Sequence, residues 1–150
     1  MRIGDLAAGA GKGLLAGAIG TVAMTLSSTL EMKLRDRKGS TAPADAASKV
    51  LGVEPVDEAA SARFATIVHW GYGTAWGSVR GLLAGLGMHG WATDAAHFAA
   101  VWGTGLAVLP ALDVAPPPQE MEPQDLAIDA FHHLIYAAAT GLAYRALDRH

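Results

Sequence analysis

The sequence predicts an all-α fold: a four-helix transmembrane bundle with small-residue, glycine-zipper-like packing and one short amphipathic helix in the first loop. Three observations carry this reading. Four stretches run uncharged for nearly the length of a bilayer span. Small residues recur at a spacing of four inside them. And 31 alanines with 18 glycines make up about a third of the 150 residues, while only 17% are charged.

The uncharged stretches come first. Lys12 to Glu31 and Asp94 to Asp113 each enclose 18 uncharged residues, Arg63 to Arg80 encloses 16, and Asp129 to Arg145 encloses 15. A spanning helix needs about 20 mostly apolar residues, within a range of roughly 17–25. Two stretches meet that length, and two reach it by including a charged residue that snorkels near one end. The helices are placed at about 6–33, 57–86, 92–113 and 124–147, in a single integral membrane domain covering 1–150. Pro55, Asp57 and Glu58 mark the start of the second, because proline suits a first turn and acids suit the positive end of the helix dipole. Pro123 and Asp125 mark the fourth in the same way. Pro110 is expected to kink or end the third, and Pro116, Pro117 and Pro118 form a stiff connector. Gly87, His89 and Gly90 make a tight turn, so the second and third helices are antiparallel neighbours.

Residues 34–56 form the one long polar insert. Ser40 or Thr41 is positioned to cap a short helix ending near Leu51, with Gly52 as its stop. Ala44, Ala47, Val50 and Leu51 share one face, which fits a helix lying on a membrane surface and fits equally a loop helix packed on the bundle's end. Arg2 and Lys12 before an apolar run imitate a signal peptide, but no small-residue cleavage site clearly follows Met24–Thr29, so the run reads as a retained first span.

The small residues fall in rows. Gly9, Gly13 and Gly17 lie four apart on the first helix, and Gly73, Gly77, Gly81 and Gly85 do so on the second. The third carries Ala95, Ala99, Gly103, Ala107 and Ala111, and the fourth Ala137 and Gly141. Residues four apart stack on one helix face. In lipid, where no hydrophobic force drives helices together, close backbone approach through such faces takes its place. In water each helical glycine would cost about 1 kcal/mol relative to alanine, so a soluble helical bundle is the structural alternative with less in its favour. The rows exceed what one four-helix core needs, which leaves a groove for a homo-oligomer.

Composition excludes several classes. Without cysteine there is no disulfide framework, no Cys-based zinc site and no Cys-ligated cluster. A net charge of −3 argues against a nucleic-acid partner. Gly9-Ala10-Gly11-Lys12-Gly13 imitates a phosphate loop but lacks its leading glycine and the Ser or Thr after the lysine. No H-E-x-x-H or G-x-S-x-G motif is present. The sequence therefore predicts no catalytic residue, no metal ligand set and no resident cofactor. The lipid bilayer is the partner it implies, and it names no protein partner.

With four spans both termini share one face, B, and residues 34–56 and 114–123 lie on face A. Face A carries Lys33, Arg35, Arg37, Lys38, Lys49 and Arg63. Face B carries Arg2, Lys12, Arg145 and Arg149, with Arg80 just inside. The small excess favours face A on the cytoplasmic side. At 1.5 Å per residue, His69 lies about 7 Å toward face A from mid-span, and Asp129, His132 and His133 lie toward the same face. With Glu31 they make a layer A. Lys12, Arg80, Asp94 and His97 lie on the order of 7–12 Å toward face B and make a layer B. Intramembrane charges cost about 2.5–3.5 kcal/mol each and normally pair inside the bundle. Arg80 faces Asp94 across the tight turn. Asp129 precedes His132 by three residues and His133 by four, so it can orient one of the two rings, and Asp94 precedes His97 by three, spacings at which an acid orients an imidazole. Structural pairing and capping of polar pockets is the leading reading of both layers. A proton or ion path through them is an alternative. So is a metal site using His69, His132 or His133 and Glu31, and so is a b-type haem held by His69 with His132 or His133. Trp91 suits an interfacial anchor, and Trp102, near mid-span, needs a partner for its N–H.

In the second half, Ala96-His97-Phe98, Leu109-Pro110, Ala115-Pro116-Pro117-Pro118 and Ile128 to His133 followed by Tyr136 resemble the small uncharacterised bacterial inner-membrane proteins of the YagU-like type, over about residues 62–146. The resemblance implies a multi-span inner-membrane protein, with an acid-stress role suggested for some members. It carries over no catalytic residue. The function expected from the sequence is that of a non-enzymatic membrane component that self-associates.

Overall fold

The computed structural model describes residues 3–149 and is all-helical, with five α-helices and no strand among the described residues. Helix α1 spans Ile3–Arg35, α2 Ala42–Leu51, α3 Glu58–Gly85, α4 Gly90–Ala111 and α5 Pro123–Asp148. The predicted Arg2 contribution to face B lies outside the described residues. Each long helix stands within three residues of its predicted limits at both ends. The punctuation works as expected. Asp57 caps α3 by accepting from the Ala60 N–H at 2.7 Å, Pro123 opens α5, and α4 ends one residue after Pro110. Gly87 and Gly90 take left-handed φ values of 91° and 66° in the turn before α4, a region that side chains disfavour. Removing the cap with Asp57→Ala is expected to cost about 1 kcal/mol, read as a lower unfolding midpoint with no change in the packing of the long helices.

Helix α1 is the central element. It packs most closely against α3 and next against α5, both antiparallel to it, while α4 leans mainly on α5. The α1–α3 contact is made by the two glycine rows. A Cβ on Gly9 would stand 2.8 Å from the Gly81 carbonyl oxygen, and one on Gly17 would stand 2.7 Å from the Gly77 Cα. Gly13 meets the Gly77 carbonyl directly, Gly73 faces Thr21, and Gly85 faces Leu6. Gly20 accepts the close approach of Tyr136 and Thr140 from α5, and Gly141 makes room for the Asp94 side chain. The backbones approach where a methyl group would separate them, which lets dispersion forces act along the whole crossing.

The third row behaves differently. Ala99, Gly103, Ala107 and Ala111 of α4 are exposed, and a Cβ on Gly103 would meet nothing within 4 Å. The expected use of Gly103 in packing within the chain is therefore corrected: α4 turns its other face, carrying Thr93, His97 and Val101, to its neighbours. On that face His97 meets the Trp76 carbonyl of α3 and the Tyr136 ring of α5.

Helix α2 has no buried residue, and its Gly52 stop adopts φ 64°. The Lys49 ammonium donates to the Leu112 carbonyl and, at 3.4 Å, to the Asp113 carbonyl at the C-terminal end of α4. A cation at the negative end of a helix dipole is favourable. The insert is thus tied to the end of α4, as in the second of its two readings.

Two helices are long and apolar enough to cross a membrane. These are α1, with mean hydropathy 1.5 over its best window, and α5, with 1.2. Helices α3 and α4 fall short of that test because glycines and the polar residues His69, Arg80, Asp94 and His97 lie within them.

Candidate functional site

Of layer B, only Arg80 and Asp94 come together, and Arg145 joins them. The Arg80 Nε donates to Asp94 Oδ1 at 2.8 Å and the Arg145 guanidinium donates to Asp94 Oδ2. Arg80 is only 2% exposed and its Cζ stands 4.8 Å over the Tyr144 ring, where the ring face attracts the cation. One carboxylate therefore holds two guanidiniums from two different helices. The expected Asp94–His97 pair does not form, because the arginines take both carboxylate oxygens. His97, fully buried, instead donates from Nε2 to the Trp76 carbonyl at 3.0 Å. A carbonyl only accepts, so that bond fixes the proton on Nε2 of the neutral ring and leaves Nδ1 without a partner. Lys12 stands apart from the cluster and pairs with Asp148 at 2.9 Å near the end of α5. Asp148 went unnoticed in the sequence because it sits beyond the uncharged stretch that defined the span.

Layer A resolves into three separate clusters rather than one site. At the α1–α3 contact, the Thr25 hydroxyl donates to the Thr21 carbonyl at 2.7 Å, so its oxygen accepts from the His69 Nε2–H at 2.8 Å. At the α1–α5 contact, His132 Nδ1 bonds the Ser27 hydroxyl at 2.8 Å, and its Nε2 lies 3.8 Å from Glu31 Oε2. Glu31 itself faces the insert, taking the Arg37 Nε at 2.8 Å and the Arg35 Nη1 at 3.2 Å. The hydrogen bond it donates to Glu31 raises the Arg37 guanidinium above its ordinary pKa. At the α4–α5 contact, Asp129 Oδ2 accepts from the Trp102 indole at 2.9 Å, the partner that ring was expected to need. His133 Nδ1 donates to the Asp129 backbone carbonyl at 2.8 Å and lies 3.4 Å from its Oδ1.

That Asp129 pairs with one of the two rings on its own helix was legible in the sequence, but that the ring is His133 rather than His132 was not. The hydroxyls that hold the other two imidazoles were not. Thr25 and Ser27 lie 44 and 105 residues from the rings they bond, and serine and threonine in apolar helices give no sequence signal of which neighbour they meet. Among the described residues, no three His, Asp or Glu side chains converge as they would to hold a metal ion. Of the residues weighed for haem, His69 and His132 each turn onto α1 and are engaged there by a hydroxyl, and His133 is held by the Asp129 carbonyl.

A groove of about 400 Å³ opens between α4 and α5 beside Asp94 and Arg145. Its walls are apolar, formed by Trp91, Phe98, Leu134 and Leu142. No protein-family model, curated protein or solved structure matches this chain.

Proposed function

We propose that the chain is a four-span integral membrane protein of the bacterial inner membrane, a four-helix transmembrane bundle closed by a glycine-zipper-like crossing, and that it serves as a non-enzymatic, self-associating membrane component. The observation that carries the reading is the distribution of side chains between inside and outside. The buried side chains include Thr21, Arg80, Thr93, His97, His132 and Thr140, whereas Leu15, Ile19, Leu26, Leu30 and Leu34 of α1 are each more than half exposed. Exposed leucines and buried arginine, histidine and threonine invert the arrangement expected in water. The same arrangement is favourable in lipid, where apolar side chains meet acyl chains and polar groups must find partners inside. Helix α1 adds to this: only 28% of its most apolar window is buried, whereas the core helix of a water-soluble protein would be covered. On this reading α3 and α4 also span, their polar residues being paired within the bundle. The resemblance to the YagU-like proteins agrees with the layout and is part of the proposal.

Extraction of isolated membranes with alkaline carbonate tests the reading. The chain is expected in the pellet and to require detergent for release. Recovery in the supernatant overturns it. Self-association is supported by the exposed Ala99, Gly103, Ala107 and Ala111 row, a small-residue face of the kind that brings helices together in lipid. Gly103→Ile is expected to convert a dimer to a monomer by sedimentation velocity in detergent, without lowering the unfolding midpoint of the monomer.

A proton or ion path is a second reading, favoured by His132, a buried imidazole with Ser27 on one nitrogen and Glu31 near the other. Proton flux into proteoliposomes that is unchanged by His132→Ala would remove it.

A further inference from the structure

We infer that the groove between α4 and α5 binds one anionic phospholipid, with its phosphate on Arg145 and an acyl chain between Phe98, Leu134 and Leu142; this rests on the membrane-spanning reading above. Three features converge on that occupant.

The first is charge. Arg80 and Arg145 share the single carboxylate of Asp94, so the cluster keeps a surplus of one positive charge. Lys12, at the same end, is already balanced by Asp148. The Arg80 Nη1 is buried without a hydrogen-bond partner, and the Arg145 side chain is 36% exposed, so the surplus is presented outward through Arg145. Asp94 faces the groove as well, but with both oxygens occupied by arginines its repulsion of a phosphate is outweighed.

The second is the neighbouring helix end. The N-cap of α4, His89, makes no side-chain hydrogen bond to the first turn, so the free N–H groups of that turn, the positive end of the helix dipole, lie beside the groove's polar end. Trp91 in that turn is 82% exposed. An indole in that position suits the headgroup region, where an aromatic ring with one polar edge is favoured.

The third is shape. The groove is floored by small residues, Ala95, Ala137 and Ala138, and walled by large apolar ones. At about 400 Å³ it falls in the range of small-ligand sites, and its lining comes from the facing sides of α4 and α5 alone. A chain with an anionic head matches a slot that is apolar along its length and cationic at one end.

The test uses the full chain in detergent, titrated with phosphatidylglycerol and phosphatidylcholine of matched acyl chains, with retained lipid counted by native mass spectrometry. One phosphatidylglycerol is expected to be retained in preference to phosphatidylcholine by roughly fivefold, the effect of one arginine near an anionic headgroup. Arg145→Gln is expected to erase the headgroup preference; it leaves Asp94 paired with Arg80, and circular dichroism should show unchanged helicity. Ala138→Trp, at an exposed position, is expected to fill the groove and abolish retention of both lipids. Equal retention of the two lipids by the wild-type chain overturns the inference, as does a preference that neither variant alters. Inorganic phosphate displacing the lipid completely would mark an anion site without a lipid and overturns it too. A change of oligomeric state on Ala138→Trp would mean that a second copy of the chain fills the groove, with the same consequence. Carbonate extraction run in parallel separates the two levels: release from membranes defeats the spanning reading, while retention without a lipid preference defeats only this one.

Discussion

Gly77→Val is expected to lower the stability of the folded chain by about 3 kcal/mol, at the upper end of the usual cost of overpacking. Gly77 lies where α3 passes between two glycines of α1. A Cβ there would stand 2.6 Å from the Gly17 nitrogen and would fall closer still to the Gly13 carbonyl oxygen and the Gly17 Cα. These are backbone atoms, which cannot rotate aside as a leucine tip can. The helices would have to part along the whole crossing, and dispersion contacts fall off steeply with separation. In lipid no hydrophobic force replaces what is lost. Unfolding in detergent by titrated dodecyl sulfate, followed by circular dichroism, reads the effect. Gly71→Ala provides the contrast. It lies on the same helix with nothing within 4 Å of its would-be Cβ, so helix propensity alone acts, with a gain of up to about 1 kcal/mol. A Gly77→Val chain as stable as wild type would mean that α1 and α3 do not cross where they are placed.

Asp94→Ala is expected to cost about 3–5 kcal/mol, the range for breaking a buried ion pair by removing one partner. Almost all of it falls on Arg80, which is 2% exposed and would be left as an unpaired guanidinium with only the Tyr144 ring beside it. Arg145, about a third exposed, would turn outward and contribute little. The sign of the argument is tested by Asp94→Ala combined with Arg80→Met. Removing both charges is expected to recover most of the loss, since a buried pair replaced by apolar groups of similar volume is often neutral. The same unfolding titration reads it. If the single variant is as stable as wild type, then Arg80 is hydrated and the cluster is not sealed from water.

These two predictions differ in how far the sequence alone leads to them. The two smooth faces that meet in the α1–α3 crossing follow from spacing; that these two helices are the pair that meets does not. Gly9, Gly13 and Gly17 on one helix and Gly73, Gly77, Gly81 and Gly85 on the other are two smooth faces of matching period, and local geometry puts residues four apart on one face whatever surrounds them. The Arg80–Asp94 pair was also foreseeable, because a tight turn at Gly87–Gly90 places both near its closed end. The second guanidinium on that carboxylate was not, since Arg145 is 51 residues from Asp94 and lies on a helix whose position beside α4 no local rule specifies. Nor was the fate of His97. Its spacing from Asp94 allowed a pair, and the competition for one carboxylate between a neutral ring and two permanent cations went to the cations. Gly103 marks the opposite case: its row had the same period as the others, but period says only that a smooth face exists, not whether another helix covers it.

The helices, their ends and their small faces were legible from the chain, because capping, proline and four-residue spacing act over a single turn and need no partner. So was the height of each ionisable residue along its helix, since rise per residue is constant. Which side chains share a height without touching came from the packing. It divided Glu31, His69, Asp129, His132 and His133 among three helix contacts, and it gathered Arg80, Asp94 and Arg145 into one. Azimuth around a helix axis is set by packing against two neighbours at once. The faces that the helices cover are those carrying Arg80, bonded to Asp94, and His97, bonded to the Trp76 carbonyl.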